Sequence, residues 1–91
     1  MIYHSKDSVN DPFIIALAVL GWILEDTRRA ERLLGLTGLT PDALRTGLGD
    51  RQVLAAVLEF VSGHEPDLLE AAEMLGFKPE ELTSAARSLA Q

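Results

Sequence analysis

Ser62 and His64 stand two residues apart, and a hydroxyl near an imidazole is the pairing from which an activated nucleophile is made. Such a pair also needs a third group to orient the imidazole and donors to hold an oxyanion, and no motif in the chain supplies either. Metal chemistry lacks its spacing as well. His4 and His64 are the only histidines, and neither has a histidine or carboxylate four residues away to complete a ligand face on a helix. There is no cysteine, which removes disulfides, thiolate zinc sites and thiol nucleophiles together and makes a reducing cytoplasm the simplest setting. The expectation is a protein without catalysis, metal or cofactor. Trp22 and Phe60 could wall an aromatic ligand cage, but both stand in apolar runs, where such rings pack into a core.

Charge carries the next candidates. Fourteen acids against eight bases leave a net charge of −6 and a pI of about 4.7, which opposes any partner held mainly through phosphates. Eight of the acids (Asp11, Asp26, Asp42, Asp50, Glu65, Asp67, Glu80 and Glu81) fall at or near predicted helix starts, where a carboxylate caps free amides and complements the helix dipole. Against this background Arg28, Arg29 and Arg32 form a basic cluster, and 38 residues later Pro66, Asp67 and Glu70 stand in the equivalent places. Arg28 and Arg29 would lie in the first turn of a helix, the unfavourable end for a cation by about 0.3–1 kcal/mol each. Pairing of Arg28 with Glu25 and Glu31 would offset part of that. Otherwise the contrast marks a surface for a protein partner or for self-association, with Arg28, Arg29, Arg32, Asp67, Glu70 and Glu73 as its residues.

A DNA-reading alternative runs through residues 68–89, where Ala72, Gly76, Phe77, Leu82 and Ala85 take the small, turn and apolar places of a helix-turn-helix. Its exposed face would offer Glu80, Glu81, Thr83 and Ser84, with Lys78 and Arg87 only at the ends, rather than the Arg, Lys, Asn or Gln that read base edges.

The elements that must position these residues announce themselves by repetition. Leu36 to Leu44 returns as Met74 to Leu82, with Gly38, Pro41 and Leu44 reappearing as Gly76, Pro79 and Leu82, and Ala18 to Ile23 returns as Ala56 to Val61. Polar–proline steps at Asp11-Pro12, Thr40-Pro41, Glu65-Pro66 and Lys78-Pro79 start four helices. A fifth begins at Asp50 after Gly47-Leu48-Gly49, and the repeat places a sixth after a break at Glu25-Asp26-Thr27, capped by Asp26 or Thr27. The fold class predicted is all-α: two pseudo-repeated three-helix units, about 12–48 and 50–90, in one domain spanning 11–91, preceded by a loose tail over 1–10. The first helix, Phe13 to Leu24, has no polar face, and the fourth is nearly as apolar. These two are expected to pack centrally, with Ala16, Ala18, Gly21, Ala55 and Ala56 allowing close approach and the other four helices around them. The twelve-residue apolar run is too short for the roughly 20 residues that span a bilayer.

The string Thr37-Gly38, Leu44-Arg45 and Leu54-Ala55-Ala56-Val57-Leu58-Glu59-Phe60, followed by Leu68-Leu69, resembles a bacterial family of short all-helical proteins known only as a domain of unknown function. The resemblance covers about Ala16 to Leu89. It implies a helical fold and an intracellular setting, and it implies no activity, cofactor or catalytic residue. The function expected is a small soluble interaction or adaptor module, because two nearly all-apolar helices in a chain this short leave too little outer layer to cover both.

Overall fold

Helix starts in this chain are written by side chains that accept from free backbone amides. In the computed structural model, which describes residues 11–91, Asp11 accepts from the amide of Phe13 at 2.8 Å and opens α1, Pro12–Leu24. Asp26 accepts from the amides of Arg28 and Arg29 and opens α2, Thr27–Thr37. Thr40 caps α3, Pro41–Thr46, and Asp50 caps α4, Arg51–Ser62. Each such cap contributes about 1 kcal/mol. Helix α5, Glu65–Leu75, begins one residue earlier than the proline rule places it: His64 is the cap residue, Pro66 is the second helical residue, and the His64 side chain makes no capping bond. The carbonyl of His64 already accepts from Leu68 at 3.0 Å, so the helical ladder starts there. In α6, Pro79–Ala90, Glu81 reaches back to the amide of Lys78 at 2.8 Å.

Helices α2 and α5 end alike. Gly38 and Gly76 adopt left-handed φ values of 76° and 79°, and their amides close onto Leu34 and Ala72. Only glycine takes this conformation without a Cβ penalty of about 1–2 kcal/mol. The ranges of α2 and α5 lie 38 residues apart, as do the glycines that stop them.

Packing follows the apolar patterns with one change. Helices α1 and α4 touch, as expected, and each also packs on both α2 and α5. The centre is shared by a third helix, however. The contact of α4 with α6 is the most extensive among the described helices, and α6 lies on α1 as well, burying Leu82, Ala85, Ala86 and Leu89. The physical reason is length: α3 stops after six residues at the Gly47-Leu48-Gly49 turn, whereas its counterpart α6 runs for twelve and spans both apolar helices. Ile23, Leu33, Leu54, Leu58, Leu82, Val19, Val57 and Val61 are the largest fully buried side chains, each stabilising the fold by about 1.5–3 kcal/mol before entropy. Ala16 and Ala55 are buried, and Ala18 and Ala56 are half-buried. Gly21, expected to serve the same purpose, lies instead on the exposed side of α1. The tail over 1–10, His4 included, lies outside the described residues.

Candidate functional site

Arg29 answers the question its position raises. Its guanidinium carbon lies 3.7 Å from the centroid of the Trp22 ring, and Nη2 donates to the Trp22 carbonyl at 2.8 Å. That carbonyl is among the last four of α1, the negative end of a helix. A cation in the unfavourable first turn of α2 is therefore spent on the favourable last turn of α1 and on an aromatic face. Its Nε, buried without a hydrogen-bond partner, offsets part of the gain.

Arg32 and Asp67 meet across α2 and α5. Arg32 Nη2 lies 3.0 Å from Asp67 Oδ2, and Asp67, 7% exposed, is the one buried charged residue among the described residues. The contact is ionic rather than a well-aligned hydrogen bond, since Oδ2 finds no donor in hydrogen-bonding geometry. Arg32 also stands 5.9 Å from the Phe60 ring, near the outer limit at which a cation and a ring attract. Both repeat-related aromatics thus carry an arginine from α2.

The six charged residues singled out in the sequence consequently divide. Arg29, Arg32 and Asp67 have partners within the molecule, although the Arg32 side chain is still 42% exposed, while Arg28, Glu70 and Glu73 are exposed and make no ion pair among the described residues. Among the described residues Arg28 makes no ion pair with Glu25 or Glu31; the ion pairs found are Arg32–Asp67 and the exposed Arg45–Asp42. The Asp26 carboxyl is held below its usual range, chiefly by hydrogen bonds from the amides of Arg29 and Arg28 and less by their guanidinium charges.

Among the described residues, two surface clefts bear on function. One, of about 610 Å³, lies between α2 and α4 and is lined by Arg32, Leu36, Thr37, Glu59, Phe60 and His64 among others. Its polar groups are partly committed: Arg32 to Asp67, and the Thr37 hydroxyl as donor to Leu33 O at 2.6 Å and acceptor from Leu39 N. Ser62 Oγ is buried without a hydrogen-bond partner and makes no bond with His64. No group of three or more His, Cys, Asp or Glu among the described residues is arranged to hold a metal ion.

The second cleft, of about 340 Å³, is apolar. Leu20 and Leu24 of α1, Leu34 of α2, Pro41, Leu44 and Arg45 of α3, and Leu48 line it. Leu24 also belongs to an exposed stripe along α1 formed by Ile14, Leu17, Gly21 and Leu24. These residues are spaced by three, four and three, which sets them on one side of the helix. Stripe and cleft together make a continuous apolar face, bordered by the half-exposed Leu48. On α6, by contrast, Glu80, Ser84 and Arg87 are the outward residues, with Lys78 in the preceding turn, a strip short of base-reading side chains. No helix among the described residues is long and apolar enough to cross a membrane.

The family model for a protein of unknown function, DUF3572, matches residues 9–91, and the chain belongs to that family. No curated protein and no solved structure matches it.

Proposed function

We propose that this DUF3572 member is a non-catalytic interaction module that docks an apolar helical segment of a protein on the face formed by α1 and the adjoining α2–α3 cleft. The observation that carries this reading is the exposed run of Ile14, Leu17, Gly21 and Leu24 on a helix with no charged residue in its thirteen. A surface helix ordinarily turns a polar side to water. Here leucines exposed by 41% and 53% continue into a cleft with leucine walls, the kind of patch that marks association. A groove of this form takes the apolar side of an amphipathic helix. The exposed charges Arg28, Glu70 and Glu73 would then steer encounter from the margins rather than bind at the centre. A cytoplasmic setting belongs to the same reading.

The test is recovery of the tagged full chain from its own cells at native expression, followed by mass spectrometry. A stoichiometric polypeptide, either another protein or an untagged copy, is expected with the wild type and lost with Leu17→Glu. Recovery of the wild type alone, as a single chain, would overturn the reading.

A further inference from the structure

We infer that the occupant of the α1 face is the same face of a second copy, with the two α1 helices packed antiparallel about a two-fold axis. This rests on the docking function proposed above and names its partner. The exposed residues of α1 carry no charge, an uncharged helix side matches them, and α1 itself presents one. A two-fold contact also requires self-complementarity, which the spacing provides. Setting Ile14 against the second copy's Leu24 brings Leu17 against the second copy's Gly21, because both pairs of numbers share the same sum. A large side chain thereby meets a missing one, twice. Gly21 is exposed, and a Cβ built on it would meet nothing within 4 Å, so its notch is open.

The same register places charge against charge. Asp11, exposed at the start of α1, comes level with the break between the second copy's α1 and α2, near which Arg28 is one of the exposed cations for which no ion pair forms among the described residues. Glu25 meets the amino end of the second copy's α1, where the helix dipole favours an anion, although the Asp11 carboxylate there opposes it. Antiparallel packing also sets the dipoles of the two α1 helices head to tail. The four-residue stripe is small beside the roughly 20–30 residues a side of a standard stable interface, so the dimer is a concentration-dependent one.

Sedimentation equilibrium on the purified full chain, from about 1 to a few hundred micromolar, reads the mass directly. The expected result is a monomer–dimer equilibrium that Leu17→Glu abolishes. Gly21→Leu discriminates further: it fills the notch and weakens the dimer at least about tenfold, while the monomer melts at the same or a higher temperature because glycine inside a helix is unfavourable. A wild type that stays monomeric throughout, or a dimer indifferent to both substitutions, overturns the inference. A monomeric wild type that still recovers a different protein from cells, lost with Leu17→Glu, overturns the second copy as occupant and leaves the docking function standing.

Discussion

Arg51, the first residue of α4, holds the far end of α6 by the carbonyl of Leu89: Nε donates to it at 3.1 Å, and Nη2 donates to the Ser88 carbonyl at 2.7 Å. This repeats the arrangement of Arg29, which also starts in an unfavourable first turn and finishes on another helix's final carbonyls. Both arginines therefore tie the start of one helix to the end of another, which explains how a cation is tolerated at each of those positions.

Replacing Arg51 with Ala should free the last turn of α6. The expected loss is about 1–2 kcal/mol, from two hydrogen bonds to a charged donor that is partly exposed. For a domain of this size that lowers the melting temperature by about 4–8 °C per kcal/mol. Hydrogen exchange should accelerate at the amides of the last turn of α6 before it changes in α1. Uniform acceleration would refute a local tie.

The Arg32–Asp67 pair predicts a non-additive cycle. Arg32→Ala alone leaves a buried carboxylate without its cation, at a cost of about 1–2 kcal/mol once screening at the half-exposed Arg32 is allowed for. Arg32→Ala with Asp67→Ala should cost less than the two single changes together, with a coupling of about 0.5–2 kcal/mol. Denaturant midpoints of the four proteins measure it, and simple additivity would refute the pair.

Gly47 is buried where the end of α3 meets α4. A Cβ there would fall 2.7 Å from the Ala43 carbonyl oxygen and 2.8 Å from a methyl of Val53. Backbone cannot swing aside as a side chain does, so Gly47→Ala should destabilise by about 1–3 kcal/mol. Gly49→Ala, where a Cβ meets nothing within 4 Å, should be close to neutral. Equal melting temperatures for the two variants would contradict this packing.

Asp26 predicts a contribution to acid sensitivity. Its folded pKa is lowered, first by the Arg29 and Arg28 amides, so the unfolded chain takes up its proton first as pH falls. The stabilisation is present above the ordinary aspartate value of about 3.9 and is lost as pH drops through the lower folded value. Asp26→Asn keeps a capping oxygen but does not titrate. Its melting temperature should therefore fall less steeply between about pH 5 and pH 2.5 than that of the wild type. Parallel curves would show that the cap carries no linkage.

The chain's own local signals determined the helices. Prolines at helix starts, Asp11, Asp26, Thr40 and Asp50 as caps, and left-handed Gly38 and Gly76 as stops act on backbone groups within a few residues, so their order along the sequence suffices to place them. The burial stripe Leu82, Ala85, Ala86 and Leu89 was legible for the same reason: a one-sided helix states which side goes inward. Helix α1 makes no such statement. Apolar all round, it left open which residues face water, and only packing against α4 and α6 turned Ile15, Ala16, Val19 and Ile23 inward and Ile14, Leu17, Gly21 and Leu24 outward. The partners of the arginines were not legible for a related reason. Arg29, Arg32 and Asp67 read as surface charge because their partners, a ring and carbonyl on α1 and one another across α2 and α5, lie on other helices. Periodicity and capping are short-range properties that a sequence spells out. The partner of a long side chain, and the exposed side of a helix without polarity, exist only once the helices have been brought together.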